Sequence, residues 1–239
     1  MHKKKTIVVH SGGMDSSICL ALAVREFSKE SVLSLSFSYS QRHASELLQA
    51  QKICNDWCVD HVILDIHSLK KITDNALMNK DTSIAENENQ NPNTLVVGRN
   101  GLMARLAGIH ADHLGANSIY MGVIGVEGNY SGYRDCSRNY MDLKQQILRI
   151  DFDNPQFEIR TPLVHLTKKE TLEIAQTLGI LEYLLEHTIT CYEGIPKYGC
   201  LLCPACKLRN KGILEFNLAY PGVIDANYIR AISNDIFLT

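Results

Sequence analysis

Short apolar runs alternate with amphipathic segments along most of the chain. The apolar runs are rich in Val, Ile and Leu, and they predict β-strands at residues 6–9, 31–37, 61–66, 118–123 and 156–160. Between them, apolar residues recur every three or four positions, which is the spacing of one helix face. This spacing predicts helices at residues 16–27, 44–57, 100–114, 142–150 and 167–178.

Capping and turn residues mark several predicted boundaries. Thr167 and Glu170 are spaced as in a capping box at a helix start, and Gly179 follows the end of the same helix. Residues 68–94 are mainly polar, with Asn and Pro concentrated at residues 87–93. We expect this segment to form a mobile loop or lid.

Alternation of strands and helices predicts the fold class. Strand–helix–strand connections give parallel sheets with helices on both faces, so we expect a Rossmann-like α/β fold. Such sheets bind ligands at the carboxyl ends of their strands, where the functional turns meet. We assign residues 1–185 to this α/β domain and residues 186–239 to a small C-terminal metal-binding region with a helical tail.

Composition narrows the expected partners and compartment. The 239 residues are 45% hydrophobic and 21% charged, with a formal net charge of -2. This charge provides no basic field for nucleic acid, and no apolar stretch approaches the roughly 18 residues of a membrane span. The basic N-terminus is followed by an apolar run too short for a signal peptide. We therefore expect a cytoplasmic protein that binds neither nucleic acid nor membrane.

The turn after the first predicted strand carries the clearest binding motif. Its sequence is Ser11-Gly12-Gly13-Met14-Asp15-Ser16-Ser17, and a helical segment follows directly. Glycines let backbone approach a ligand closely, and the amides and dipole of a helix start favour an anion. Neither GxxxxGK[ST] nor GxGxxG is present. The motif therefore predicts a phosphate-binding loop of another kind.

Four of the eight cysteines are clustered near the C-terminus and indicate a metal site. They are Cys191, Cys200, Cys203 and Cys206, whereas the other cysteines are scattered. Four thiolates with two Cys-x-x-Cys spacings are typical of a closed tetrahedral zinc site, which is structural rather than catalytic. The alternatives are a redox pair of cysteines, an iron–sulfur cluster, and no metal at all.

The phosphate loop and several further segments resemble a known family. The Ser-Gly-Gly-x-Asp-Ser pattern is similar to the pyrophosphate loop of the adenine nucleotide alpha hydrolases, or N-type ATP pyrophosphatases, whose sheet is of the HUP type. Within this superfamily, the chain resembles the 7-cyano-7-deazaguanine synthase family of queuosine biosynthesis. The similar segments are F-S-Y-S-Q-R-H at 37–43, V-G-R-N at 97–100, S-G-Y-R-D-C at 131–136, T-P-L at 161–163, T-K-K-E at 167–170 and T-C-Y-E-G at 190–194.

This resemblance implies an ATP-dependent ligase. The family activates 7-carboxy-7-deazaguanine as an acyl-adenylate, which ammonia converts to the amide. A second ATP activates the amide, and the products are 7-cyano-7-deazaguanine, AMP and pyrophosphate. The implied cofactors are ATP, Mg²⁺ and structural Zn²⁺, and a homodimer is expected by analogy.

The resemblance also implies site residues. Those expected to bind ATP are Ser11, Gly12, Gly13, Met14, Asp15, Ser16, Ser17, Phe37, Gly98 and Arg99. Asp15 would hold Mg²⁺ or cap the helix. Arg99 and Lys168 would neutralise charge on the α-phosphate, or would form ordinary surface pairs. His43 would transfer a proton or bind phosphate, or would be a structural loop residue. The expected substrate contacts are Tyr39, Gln41, Arg42, Tyr133 and Asp135.

Departures from the family pattern fall mainly on the substrate side. They are Ser40, Val97, Arg134, Ser137 and Leu201. One alternative is therefore a family paralogue that passes the activated deazaguanine carboxylate to another amine, such as a protein N-terminus. A second is a tRNA-modifying ATP pyrophosphatase, which the net charge of -2 disfavours. A third is a non-enzymatic nucleotide-binding module or a zinc-stabilised adaptor.

Overall fold

A computed structural model describes residues 3–39, 45–73, 75–77, 82, 84, 93–125 and 133–233. Three residues predicted to contribute to the site, Gln41, Arg42 and His43, lie outside these ranges. The same is true of most of the residues between 78 and 92, in the segment predicted to be a lid.

Five parallel strands form one sheet in these described ranges. They are β1 (Thr6–Val9), β2 (Val32–Ser38), β3 (Asp60–Asp65), β4 (Ser118–Met121) and β5 (Glu158–Arg160). Their order is β3-β2-β1-β4-β5, so the chain reverses its direction of winding between β1 and β4. Doubly wound sheets bind ligands at this switch point. The sheet confirms the predicted Rossmann-like α/β class.

Helices cover both faces of the sheet. They are α1 (Met14–Phe27), α2 (Ser45–Asp56), α3 (Arg99–His113), α4 (Arg138–Asp151), α5 (Lys168–Thr177), α6 (Leu181–His187), α7 (Pro204–Ala219) and α8 (Ala226–Ser233). The pair α3 and α4 packs on one face, and the other helices pack on the opposite face. Among the described residues, no helix combines the length and the apolar character needed to cross a membrane.

Neighbouring residues of β1 supply two separate hydrophobic cores. Val8 packs in a cluster with Ile18 of α1 and Phe216 of α7, whereas Ile7 packs in a cluster with Met103 of α3 and Leu148 of α4. This alternation is the two-residue period of a strand that is covered on both faces. The central strand is therefore fully enclosed, and its carboxyl end is fixed in position.

The predicted elements are present, with shifts at their ends. Helix α4 begins before the predicted residue 142, because the side chain of Ser137 caps it by accepting from the amide of Tyr140 at 3.2 Å. The capping box of Thr167 and Glu170 is present at the start of α5. The segment predicted as a loop opens with a short 3₁₀ turn, His67–Lys71.

The C-terminal helices share a core with the sheet. Ile213 of α7 and Tyr228 and Ile232 of α8 are buried in the same cluster as Val8. Apolar contacts thus cross the predicted boundary at residue 185. The division into two regions stays a prediction.

Candidate active site and metal centre

Two glycines shape the turn between β1 and α1. Gly12 has a φ of 80°, and a Cβ at this position would lie 2.4 Å from the carbonyl oxygen of Glu46. Gly13 is the N-cap of α1, and its carbonyl oxygen accepts from the hydroxyls of Ser16 at 3.1 Å and Ser17 at 2.8 Å. Because a helix start leaves its first amides unpaired, this turn can bind an anion.

Side chains of the loop differ in their access to a ligand. Ser11 is exposed, and its hydroxyl lies 3.2 Å from that of Ser16. Ser17 is fully buried, and its hydroxyl is used inside the fold. The side chain of Met14 is also buried. Met14 can therefore offer a ligand only its backbone, whereas Ser11 can offer its hydroxyl.

A buried histidine stands behind the loop. Nδ1 of His10 lies 3.1 Å from the hydroxyl of Ser34, and Nε2 lies 3.1 Å from that of Ser17. Because the Ser17 hydroxyl donates to Gly13, it accepts from His10, which places the ring proton on Nε2. Burial, with a contribution from His61, lowers the pKa of His10 to about 3. The ring is therefore neutral and fixes Ser17 without adding charge.

A glycine after β4 lets that strand approach the loop closely. A Cβ on Gly122 would lie 2.7 Å from the amide nitrogen of Ser16 and 2.8 Å from the carbonyl carbon of Asp15. Any side chain here would displace the start of α1. Sequence reasoning missed Gly122, although a glycine inside the strand predicted at residues 118–123 was a signal of close backbone approach.

Asp15 and Lys168 form an ion pair at the start of α1. Nζ of Lys168 lies 2.5 Å from Oδ2 of Asp15, and Lys168 is only 5% exposed. The other carboxylate oxygen, Oδ1, is buried and has no hydrogen-bond partner. The N-cap of α1 is Gly13, not Asp15. Asp15 therefore has one oxygen available for a ligand, and carboxylate oxygen is the donor that Mg²⁺ prefers.

The guanidinium of Arg99 is surrounded by tyrosines at the start of α3. Its Nη1 donates to the hydroxyl of Tyr39 at 3.3 Å, and Gly98 is the N-cap that precedes it. Burial by itself would lower the pKa of Arg99. Nearby Tyr39, Tyr192 and Asp135 together raise that pKa by more than burial lowers it, so the net shift is upward. The structure thus holds a permanent cation at this edge of the sheet.

Asp135 and Tyr133 face the start of α3 from the short turn before α4. Oδ2 of Asp135 accepts from the amide of Asn100 at 3.0 Å, while Oδ1 is buried without a partner. The hydroxyl of Tyr133 bonds to Thr94 and lies 3.5 Å from that of Tyr192. Asp135 therefore keeps one oxygen for a donor from outside the protein.

The thiol of Cys136 shows that these charged groups share one site. Burial raises the pKa of Cys136 to about 12, the carboxylates of Asp135 and Asp15 act in the same direction, and Arg99 opposes them. Charges that act on the same thiol lie near one another in the fold. The phosphate loop and the Arg99 cluster therefore lie at the same edge of the sheet, and we call the region between them the candidate pocket.

The sulfur atoms of the four cysteines predicted to bind a metal lie close together in the structure. Their sulfur atoms all lie within 4.8 Å of one another, and Sγ of Cys200 lies 3.9 Å from Sγ of Cys206. A tetrahedral zinc ion with bonds of about 2.3 Å separates its sulfurs by about 3.8 Å, so this donor set fits one metal ion. Leu201, where the family pattern has Gly, adopts a φ of 65° in the left-handed region. We call Cys191, Cys200, Cys203 and Cys206 the four-cysteine centre.

The segment that leads into the four-cysteine centre runs along the phosphate loop. The amide of Ile189 donates to the carbonyl oxygen of Gly12 at 3.1 Å. Cys191 follows two residues later, and the next residue is Tyr192, whose hydroxyl meets Tyr133. The metal centre therefore adjoins the pocket.

Buried polar atoms without a partner collect at this edge of the sheet. Of the five such atoms among the described residues, four are Asp15 Oδ1, Gln49 Nε2, Asp135 Oδ1 and Thr190 Oγ1, and the fifth is Asn75 Nδ2. Gln49 belongs to the turn of α2 against which Gly12 packs. Unpaired buried groups are uncommon because each costs about 1–3 kcal/mol, so their grouping indicates a polar ligand.

Sequence reasoning missed Glu46, Gln49, Thr190 and Tyr192. Burial raises the pKa of Glu46 to about 7, although nearby Arg99 acts to lower it. The two residues on α2 belong to no spaced motif. Only the T-C-Y-E-G similarity pointed to the neighbourhood of Thr190 and Tyr192. Tertiary contacts bring all four to the pocket.

The fold and site define an α/β protein of Rossmann topology, with a loop suited to an anion at its switch point and beside it four cysteines that could hold a metal ion. The chain matches the model of the queuosine biosynthesis protein QueC over residues 5–217, and it belongs to that family. The match confirms the resemblance found in the sequence.

Two relatives from Clostridium botulinum carry the name 7-cyano-7-deazaguanine synthase. The protein of strain 657 / Type Ba4 is 40% identical over 222 residues, which cover 92% of this chain and 99% of that protein. The protein of strain Loch Maree / Type A3 is 41% identical over 218 residues, covering 90% and 97%. An NH3-dependent NAD synthetase structure from Campylobacter jejuni has 18% identity and a TM-score of 0.49, over 100% of this chain and 86% of that one. A similarity this low carries no argument.

Proposed function

We propose that this protein converts 7-carboxy-7-deazaguanine and ammonia to 7-cyano-7-deazaguanine at the expense of ATP, and is therefore a carbon–nitrogen ligase. Membership of the QueC family and 40% identity to a protein named for this activity support the proposal. The structural observation that carries it is the position of the phosphate loop, the Asp15–Lys168 pair and the Arg99 cluster at the same edge of the sheet.

Each half of the proposed reaction consumes one ATP. The substrate carboxylate attacks the α-phosphorus, pyrophosphate leaves, and ammonia then displaces AMP to give the amide with release of a proton. The amide oxygen attacks the α-phosphorus of a second ATP and again expels pyrophosphate. Loss of AMP and a proton leaves the nitrile.

In this proposal, the loop binds ATP through its backbone amides and the hydroxyl of Ser11. The predicted nucleotide contacts are Ser11, Gly12, Gly13, Met14, Asp15, Ser16, Ser17, Phe37, Gly98 and Arg99. The free oxygen of Asp15 would hold Mg²⁺, which neutralises charge on pyrophosphate. Lys168 and Arg99 would stabilise the charge that develops at the α-phosphate.

The acceptor would bind beside Arg99. Oδ1 of Asp135 is free to accept hydrogen bonds from the guanine-like edge of the substrate. Tyr39 and Tyr133 would line this part of the pocket. Beyond the described residues, Gln41 and Arg42 stay predicted substrate contacts and His43 stays a predicted catalytic residue.

We propose zinc as the metal of the four-cysteine centre. Four thiolates within 4.8 Å suit one tetrahedral ion, whereas an iron–sulfur cluster interposes iron and sulfide and needs wider separations. Four protein ligands leave no open position for a substrate. The metal would therefore cross-link the chain around it.

The test of the proposed function is a product analysis. The purified protein receives 7-carboxy-7-deazaguanine, ATP, Mg²⁺ and ammonium, and mass spectrometry follows the products. We expect the nitrile with AMP and pyrophosphate. AMP together with an adduct on an added amine would instead favour the paralogue, and absence of pyrophosphate with every acid tested would contradict both readings.

Compartment and assembly are part of the proposal. Eight free thiols suit a reducing compartment, so we expect the protein in the cytoplasm. We also expect a homodimer, by analogy with the family. Sedimentation equilibrium would then give about twice the 26.8 kDa of one chain, and a mass of one chain across the concentration range would contradict the dimer.

A further inference from the structure

The hydroxyl of Thr190 is a buried polar group that none of the roles above uses. Its Oγ1 has no hydrogen-bond partner among the residues that the structure describes. Thr190 is joined to Ile189, whose amide donates to Gly12 and whose carbonyl oxygen lies 3.5 Å from the Cβ position of Gly13. Thr190 is therefore the residue that directly follows the one in contact with both glycines of the phosphate loop.

A second threonine on the same segment, Thr188, has a buried hydroxyl that is hydrogen-bonded within the protein. Thr188 is 2% exposed, and its hydroxyl donates to the carbonyl oxygen of Leu184 at 2.6 Å. The fold thus satisfies the buried hydroxyl of Thr188 but leaves that of Thr190 unpaired. A buried donor without an acceptor is unfavourable, so the missing acceptor is best sought in a ligand.

The groups around Thr190 favour a phosphate oxygen as the acceptor for its hydroxyl. The start of α1 presents unpaired amides, and the cation of Lys168 lies at the same helix turn. The other anion of the proposed reaction is the substrate carboxylate. Thr190 adjoins Gly12 and Gly13 through Ile189, which favours phosphate as its partner.

We propose that Thr190 is a binding residue of the ATP site, whose hydroxyl donates a hydrogen bond to a phosphate oxygen of the nucleotide. The inference rests on the proposed function, because it requires ATP in the loop. It also gives the four-cysteine centre a positioning role, since its ligand Cys191 directly follows Thr190 in the chain.

The test compares Thr190→Val, Thr190→Ser and Thr188→Val in the full-length, metal-loaded protein. Binding of α,β-methylene-ATP by calorimetry, the KM for ATP, the zinc content and the Tm are measured for each. We expect Thr190→Val to raise the Kd and the KM about tenfold, as for loss of one hydrogen bond to a charged group, without lowering the Tm. Thr190→Ser retains the hydroxyl and should bind like the unchanged protein.

Thr188→Val is the matched control. It removes a buried hydroxyl that bonds inside the fold, so it should lower the Tm and leave the KM for ATP unchanged. The inference fails, and the proposed function survives, if Thr190→Val binds the analogue as tightly as the unchanged protein does. The inference also fails if Thr190→Val has both a lower zinc content and a lower Tm than the unchanged protein, because the hydroxyl would then have a structural role. If the unchanged protein binds no ATP analogue and forms no AMP, both proposals are overturned.

Discussion

At the residue scale, the important feature is a pair of charges largely removed from water at the start of α1. Lys168 is 5% exposed and pairs with Asp15, so the carboxylate of Asp15 compensates part of its buried charge. Removing one partner of such a pair leaves the other charge buried with less compensation. A variant of one partner therefore affects both stability and chemistry, and the two effects must be separated.

Asp15→Asn should reduce AMP formation by about 100-fold or more, because it removes the proposed carboxylate ligand of Mg²⁺ at the pyrophosphate. It should also lower the free energy of unfolding by about 1–3 kcal/mol, since Lys168 loses the carboxylate with which it pairs. The double variant Asp15→Asn/Lys168→Met should recover stability but stay inactive. Denaturant unfolding and pyrophosphate release measure the two effects. Near-full activity in Asp15→Asn would contradict the metal role.

His10 gives a prediction about pH. Its folded pKa is about 3, below the ordinary value of 6.5, so below pH 6.5 the unfolded chain binds a proton that the folded chain does not. This lowers stability as the pH falls from 6.5 toward 3, by up to about 1.4 kcal/mol per pH unit. His10→Gln can still donate to Ser17 but does not titrate.

The stability advantage of the unchanged protein over His10→Gln should therefore shrink as the pH falls from 7 to 4. Urea unfolding of both proteins at each pH measures this difference. A difference that stays constant over the range would show that His10 is not a buried neutral group.

At the element scale, the close approach of α5 and α7 places Lys168 at the pocket. Gly212 of α7 faces the start of α5, and a Cβ on it would lie 2.3 Å from Cβ of Lys168. The backbone of Lys168 is also in the way, with its carbonyl carbon at 3.1 Å. The two helices can approach this closely only because position 212 has no side chain.

Gly212→Ala should lower the free energy of unfolding by about 1–3 kcal/mol, because the overlap outweighs the gain in helix propensity. It should also reduce AMP formation by displacing Lys168 from Asp15. The matched control is Gly108→Ala in α3, where the Cβ would meet no backbone atom but the ends of two side chains, Leu148 Cδ1 at 2.8 Å and Phe152 Cζ at 3.4 Å. Thermal unfolding and AMP assays should find the control much less affected, and equal effects would contradict this account of α7.

At the scale of the whole molecule, the four-cysteine centre connects the C-terminal helices to the phosphate loop. Its ligand Cys191 lies at the end of the segment that bonds to Gly12, and Cys206 lies in α7. Metal binding fixes these parts relative to one another, and in small metal sites that energy contributes directly to folding.

Cys203→Ser should lose bound zinc, lower the Tm and weaken ATP binding, because the segment from Ile189 to Cys191 is then no longer held at the loop. The control is Cys58→Ser, an exposed thiol on α2's C-terminal turn that should retain full metal content. Metal analysis, calorimetry with the ATP analogue and thermal unfolding check these outcomes. Normal zinc content and Tm in Cys203→Ser would refute the structural role.

How far the sequence predicted this protein depends on the range of the contacts involved. The period-2 and period-3.6 patterns predicted the strands and helices because these patterns reflect local geometry. The start of α4 was predicted too late, because the capping residue Ser137 was not recognised in the sequence. The Asp15–Lys168 pair joins residues 153 positions apart, which no spacing indicates. The family resemblance named both residues but not their contact.

By itself, the sequence determined the α/β class, the glycine turn at Ser11–Ser17 before the first helix, and the set of four cysteines that the fold brings together. These features depend on residues that are close together in the sequence, so they can be recognised without knowledge of the tertiary contacts. Only the tertiary structure decided that Gly122 meets the loop, that Ile189 bonds to Gly12, and that the hydroxyl of Thr190 stays unpaired beside it. Those contacts arise because the parallel sheet brings the carboxyl ends of distant strands to one edge.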